Sequence, residues 1–279
     1  MQSTLIIMAA GKSSRYGSLK QTEIIGPSAV TLMEYSIYDA LHSGFTNVIL
    51  IIRKETQSYF EGIKNNIGKA IKIEFVYQDM KQYTDNFKID YQREKPWGTA
   101  HALFCCKDIC NNPFVVINAD DFYGKSSFEH AINFFKKEKQ SHLVIPYLLQ
   151  NTLSENGTVN RGICEIENDL LISIREKTGL TKQNTKGENS LVSMNFWGFQ
   201  PEIFDHIEIL FKDFLKKHQN PTDEFFIGEV VQHIIDENVA SIIAIQSTEQ
   251  WYGITYKADK AQTHYALCQL DYPTTLWKT

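Results

Sequence analysis

The sequence predicts an α/β fold around a mostly parallel central sheet, with a second half of mixed character. Apolar runs of strand length alternate with stretches patterned as helices, and those runs are apolar at successive positions. Alternating strands and helices imply parallel strands joined by right-handed crossovers. Strands apolar on both faces fit a sheet covered by helices on both sides. Beyond Ser141 the pattern changes, and strand-like runs follow one another through polar loops.

The elements follow in order. Residues 5–10, 47–52, 71–77 and 113–119 read as short buried strands. Between them, residues 31–43, 55–67 and 99–110 carry apolar side chains at the three-and-four spacing of a helix. Residues 143–149, 162–166, 171–174 and 192–199 read as further strands. Helices are expected over 202–217 and 223–237, a strand over 240–246, and a last helix near 259–270. The polar stretch 178–189 reads as a loop. No internal repeat, low-complexity tract or flexible linker is present, so residues 1–279 are expected to form one domain. Its parts are a front half over 1–125, a back half over 126–250 and a C-terminal helix and tail over 251–279.

Composition narrows the function. The net charge is -5 and the Lys and Arg residues are scattered, which gives no electrostatic case for nucleic-acid binding. The five cysteines, Cys105, Cys106, Cys110, Cys164 and Cys268, are odd in number and clustered, so no disulfide framework is expected. No second Cys/His pair completes a zinc site around Cys106 and Cys110. The N-terminal apolar run lacks a basic flank, and no run approaches the ~20 residues that span a bilayer. Reduced thiols in a cytoplasmic protein, away from membranes, are the expectation.

The stretch from Ile6 to Gln21 (IIMAAGKSSRYGSLKQ) carries the first chemical signal. A Walker A loop needs Gly five places before its Gly-Lys-Ser. That place is Ile6, inside the strand, so an ATPase loop is excluded. What remains is Ala9-Ala10-Gly11-Lys12-Ser13-Ser14-Arg15 at a strand end, with Lys20 nearby. Small residues let the backbone approach a ligand, Gly11 is free to take positive φ, and successive amides form an anion nest. Open α/β folds place ligands at that end of the sheet.

This segment resembles the signature of the sugar-phosphate nucleotidyltransferases, which include the nucleotide-sugar pyrophosphorylases. Further segments resemble the family in order: Phe75-Val76-Tyr77-Gln78, Trp97-Gly98-Thr99-Ala100, Ile117-Asn118-Ala119-Asp120-Asp121, then Gly162, Glu176-Lys177 and Met194-Asn195. The matches run from residue 5 to about 200, and the ordered set is more specific than any member.

The resemblance implies a Rossmann-like, GT-A-like three-layer sandwich whose front half binds an NTP and whose back half binds the acceptor. It implies transfer of NMP from an NTP to a sugar 1-phosphate, with release of pyrophosphate. The acceptor phosphate is already an anion, so positioning and charge neutralisation are what such a site must supply. Ala10, Gly11, Lys12 and Ser13 are then expected around the triphosphate. Arg15 is assigned to its leaving phosphates and Lys20 to the α-phosphate. Gln78, Gly98 and Thr99 are expected at the base. Gly162, Glu176, Lys177 and Asn195 are expected at the acceptor, with Lys177 on its phosphate. Asp120 is the implied ligand for Mg²⁺, a hard ion that prefers carboxylate, water and phosphate oxygens.

The pattern departs from the family twice. The second metal ligand falls on Thr255, a poor substitute for a carboxylate, which leaves Asp259 as a candidate ligand or a helix cap. The insertion 79–96 is longer than usual and reads as a flap over the nucleotide or a subunit contact. The aromatic-rich residues 265–277 read as a further candidate contact for a homo-oligomer. An alternative acceptor is phosphocholine, which needs an aromatic and acidic cage such as Trp197, Phe199, Trp251, Tyr252 and Glu165 would supply. A nucleotide-sugar glycosyltransferase is more remote, because it leaves the Arg15 and Lys20 loop unexplained.

Overall fold

The computed structural model describes residues 2–11, 20–84, 87, 93–217 and 220–277. In chain order the first part comprises β1 (Thr4–Met8), β2 (Ile24–Ile25), β3 (Val30–Thr31), α1 (Leu32–Ser43), β4 (Asn47–Ile52), α2 (Gln57–Ile67), β5 (Lys72–Tyr77), α3 (Thr99–Phe104), β6 (Phe114–Asn118) and β7 (Asp121–Phe122). The remainder comprises α4 (Lys125–Lys137), β8 (His142–Leu148), β9 (Val159–Glu167), β10 (Leu170–Leu180), β11 (Leu191–Phe199), α5 (Ile203–Lys217), α6 (Ile227–Asp236), β12 (Ile242–Ala244), β13 (Tyr252–Gly253) and α7 (Asp259–Leu267).

A sheet of 9 strands runs in the order β5-β4-β1-β6-β11-β8-β12-β10-β9. From β5 to β6 every pairing is parallel. At β11 the sense reverses, because β11 is antiparallel to both β6 and β8. β9 and β10 form a long hairpin, and β9 also pairs with β11.

Period-two alternation splits the apolar side chains between the faces. Leu5, Ile7, Val48 and Leu50 join one buried cluster with residues of α1, α2 and α4. Ile6, Ile49, Ile51 and Val116 join another with residues of α3, α5 and α6. Full burial of such side chains contributes about 1.5–3 kcal/mol each. Helices therefore cover both faces, as the doubly apolar strands imply.

α1 begins where Thr31 accepts from the Glu34 amide and Glu34 returns the bond, a capping box, and it ends on Gly44 at φ 108°. The helix α4 lies outside the sequence-based expectation. Its Phe128, Ala131, Ile132 and Phe135 recur at helical spacing and are buried, so the pattern is present in the chain. β10 extends to Leu180, so the expected loop over 178–189 begins as strand.

Candidate active site

The carboxyl end of β6 carries the first polar groups. Asn118 ends the strand, and the chain turns through Ala119 and Asp120 into β7. Asp120 is partly exposed and faces a cavity of about 930 Å³. Asp121 is buried; its Oδ2 accepts from Asn118 Nδ2 (2.8 Å) and lies 3.2 Å from the Tyr123 hydroxyl oxygen. Burial, and then the negative charge of Asp120, push the Asp121 carboxyl well above its ordinary range. Gly253 on β13 lies opposite Asp121; a Cβ there would sit 2.8 Å from the Asp121 Oδ1, so this close approach requires glycine.

The antiparallel neighbour supplies the next group through an irregularity. The β11–β8 register breaks between Ser193 and Trp197. Within that break Asn195 takes φ 60°, a left-handed conformation that Asn tolerates better than most side chains. Its Nδ2 donates to Asn118 Oδ1 at 3.4 Å, and its own amide is held by Ser193 Oγ. Tyr123 ties both strands together: its hydroxyl donates to Met194 O (2.8 Å) and accepts from the Asn118 amide (3.1 Å).

The β9–β10 hairpin forms another wall. Glu176 and Gly162 pair across it and both line the cavity. Arg161 lines the cavity as well; its Nε donates to Thr152 Oγ1 (3.0 Å) and its Nη1 to Asn160 O (2.8 Å). Arg161 lies 5.2 Å from the Trp251 ring centroid. Burial raises the Glu176 carboxyl, and the Arg161 charge offsets part of that rise. The remaining wall is one face of α6, with Gly228, Glu229, Gln232, His233 and Asp236 recurring at helical spacing.

The expected residues fall into distinct groups. Asp120, Gly162, Glu176, Asn195 and Thr99 all line the cavity. Lys177 does not: its Nζ pairs with Glu188 at 3.0 Å on the exposed side of the hairpin. Among the described residues the Lys or Arg that lines the cavity is Arg161, which adjoins Gly162 and was not among the expected residues. Ala10 and Gly11 lie at the end of β1, where Gln21 Nε2 donates to Ala9 O (2.9 Å) and Gly11 O (3.3 Å) and fixes the chain entering the loop. Gly11 is not among the residues with positive φ. Lys12, Ser13, Arg15 and the side chain of Lys20 lie outside the described residues.

Gln78 donates to Gly98 O at 3.1 Å, so these two base-site candidates are adjacent. Gly98 has φ 107°, and a Cβ there would lie 2.4 Å from Phe225 O. The packing of the 225 backbone thus already demands glycine. Thr99 accepts from the Ile227 amide at 3.1 Å.

Asp259, the other expected metal ligand, is held by groups of its own surroundings. One carboxylate oxygen accepts from Ser154 Oγ and Asn156 Nδ2, the other from the Thr255 and Tyr256 amides. With these bonds made, and lying outside the large cavity, Asp259 is a loop and helix clamp. It holds Thr255 from behind, and Thr255 lines the cavity. Of the aromatic candidates for a cage, Trp197 and Trp251 line the cavity and the others do not. Phe199 is fully buried, Tyr252 packs on Phe122, and Glu165 accepts from Ser173 Oγ. Tyr272, Leu276 and Trp277 pack within their own chain against the α1 side, leaving Tyr265 exposed.

The donor set at the β6 end suits a hard cation. Among the described residues no group of three or more His, Cys, Asp and Glu comes together. Mg²⁺ needs fewer protein ligands, since one or two carboxylates suffice with substrate phosphates and water. Asp120, backed by a buried second carboxyl and the Asn118 and Asn195 amides, fits that need.

The chain matches the nucleotidyl transferase family over residues 4–255 and belongs to that family of transferases. Its fold is similar to a Bacillus anthracis protein described as a glucose-1-phosphate thymidylyltransferase, solved with a sucrose, at 15% identity over 97% of each chain with a TM-score of 0.67. It is similar to the inositol-1-phosphate CTP transferase from T. maritima at 12% identity over 96% of this chain and 95% of that one, with a TM-score of 0.68. It is also similar to a UDP-glucose pyrophosphorylase solved with UDP-glucose, at 16% identity over 95% and 98% of the two chains, with a TM-score of 0.65. At these identities the likeness is one of fold. No curated protein sequence matches the chain significantly. Among the described residues no helix is long and apolar enough to cross a membrane.

Proposed function

We propose that the protein transfers a nucleoside monophosphate from an NTP to a sugar 1-phosphate. The observation that carries this reading is the cavity in which Asp120, at the carboxyl end of the parallel strand β6, converges with Asn195, Arg161 and Glu176 of the antiparallel strands beside it. A phosphate oxygen of the acceptor attacks the α-phosphorus. The bond from the α-phosphorus to the oxygen bridging it to the β-phosphorus breaks, and pyrophosphate leaves with the electron pair. No proton transfer is needed, so the side chains serve to align two anions and offset their charge.

The loop over 10–15 and Lys20 face the triphosphate in this reading, and Gln78 with the turn 97–99 faces the base. Arg161 offers its remaining donors to the acceptor phosphate. Lys177 joins it only by leaving Glu188. Glu176, Asn195, Asn160 and Gln232 present amide and carboxylate groups suited to ring hydroxyls. Asp120 would hold Mg²⁺, which supplies charge neutralisation across the phosphates. The two-faced, mostly parallel front half supports the GT-A-like reading of the layers.

The acceptors named for proteins of this fold include both glucose 1-phosphate and inositol 1-phosphate. Both are hydroxylated six-membered rings bearing one phosphate, and the polar walls suit that class. A phosphocholine acceptor has Trp197 and Trp251 on the cavity wall but not Phe199, Tyr252 or Glu165, so the ring phosphate is the preferred reading. The test is pyrophosphate release with Mg²⁺ and each of ATP, GTP, CTP, UTP and dTTP, with and without each ring phosphate. Release that depends on both an NTP and a ring phosphate is expected. Release with phosphocholine alone, or with no acceptor, would overturn the assignment.

A further inference from the structure

The insertion between Gln78 and Trp97 reads in the sequence as a flap or a subunit contact, and its described part packs on its own chain. Trp97 Nε1 donates to Met80 O at 2.8 Å, and His101 meets Gln82 O at 3.2 Å, so the first stretch lies on α3. Arg93 is only 6% exposed. Its guanidinium lies 3.8 Å from the centroid of the Trp97 ring. One nitrogen donates to Asn220 O (3.2 Å); the other donates to Pro96 O (3.2 Å) and Asp223 O. Lys95 adds an ion pair to Glu224 at 2.6 Å.

The Asn220 and Asp223 carbonyls lie just before α6. There the Phe225 amide donates to Trp97 O (2.6 Å), the Ala100 amide donates to Phe225 O (3.1 Å), and the Ile227 amide donates to Thr99 Oγ1 (3.1 Å). The turn 97–100 and the start of α6 are therefore stitched into one unit, with Arg93 fastened across the seam. Only a planar fork reaches carbonyls in several directions while stacking on an indole face; a Lys ammonium is a compact point donor.

We propose that Arg93 is a positioning residue that locks the cavity-lining helix α6 to the turn 97–99, so that a nucleotide seated on the turn sets the wall that meets the acceptor. This rests on the proposed function for what binds at each end. α6 carries Gly228, Glu229, Gln232 and His233 into the cavity, so a small shift of its first turn moves the acceptor wall. Misplacements of about 1 Å are enough to weaken a positioned contact to the acceptor strongly.

The experiment uses the full chain with Arg93→Lys and Arg93→Met. The expected result is a KM for the ring phosphate raised about tenfold in Arg93→Met, with kcat and the NTP KM within about twofold. Arg93→Lys should fall between. Hydrogen exchange provides a second readout. Adding NTP and Mg²⁺ without acceptor should protect both 97–102 and 225–232 in the wild type, and only 97–102 in Arg93→Met. Equal rises in both KM values would mark a merely structural strut and overturn the proposal. So would protection of α6 that survives in Arg93→Met. Should the wild type release no pyrophosphate with any ring phosphate, the functional reading fails, while the exchange pattern with NTP alone still decides the role of Arg93.

Discussion

The parallel and antiparallel regions of the sheet make their polar site residues in different ways. In the parallel region, β1, β4 and β6 are apolar almost throughout, and chemistry appears only where the strands end, at Ala10-Gly11 and Asn118–Asp120. In the antiparallel region the chemistry sits inside the strands: Arg161 and Gly162 in β9, Glu176 in β10, and Asn195 in the break of β11. A strand buried on both faces has no room for unpaired polar groups, so it delivers them at its tip. A strand with one face on a cavity can present them along its length. The first region is thus suited to fixed phosphate and metal contacts, and the second to contacts that vary with the acceptor.

Substitutions can break or sharpen that contrast. The largest effect is expected at the tip of β6. Asp120→Asn should lower kcat by about 100-fold or more at saturating NTP and acceptor alike, because charge stabilisation is lost. Its melting temperature should stay within about 2 °C of wild type. Unchanged turnover would remove Asp120 from the site.

Next comes the seam between the regions. Gly98→Ala forces a Cβ to within 2.4 Å of Phe225 O at φ 107°. A loss of about 3 kcal/mol in urea unfolding is expected, with weakened binding of both substrates. A neutral result would mean that the turn and α6 are not tightly packed.

Inside β11, Asn195→Gly should separate stability from binding. Glycine adopts φ 60° without strain, so melting should rise slightly or hold, while the acceptor KM rises about tenfold as the amide is lost. A rise in the NTP KM instead would move Asn195 to the other half of the reaction.

The smallest effect on turnover is expected at Asp39, which does not line the cavity. Its carboxylate accepts from the Tyr272 hydroxyl at 2.6 Å and its other oxygen is buried without a partner. Burial raises its pKa from 3.8 to about 7. The folded state therefore holds this proton more tightly than the unfolded chain. The contribution is favourable at acid pH and is lost as pH rises between those two values. Asp39→Asn escapes that loss, so its stability relative to wild type should grow, by on the order of 4 kcal/mol, from about pH 4 to about pH 7.5. Parallel profiles from urea unfolding would refute the assignment, and kcat should not change.

The contrast also explains what could be read in the chain. The parallel strands were legible because apolar runs such as 47–52 report burial directly, and the motif at Asp120 sits where a strand must end. α5, α6 and α7 followed from their spacing. The role of Arg161 was not legible, since an Arg beside a Gly in a strand is common and only the hairpin's pairing turns it to the cavity. Lys177 matched a motif yet lies on the Glu188 side, because a spacing does not state which face of a hairpin a long side chain takes. Asp259 could be read as ligand or cap, and only its hydrogen bonds decide. The insertion was visible as length alone; its purpose depends on carbonyls more than a hundred residues away, around 220–223.

The most direct test is a crystal structure of the protein with a nucleotide diphosphate-sugar and Mg²⁺. The account predicts the sugar ring inside the cavity, contacting Glu176 and Asn195, with the base against Gln78 and the turn 97–99. A sugar lying outside, on the Lys177–Glu188 face of the hairpin, would contradict it.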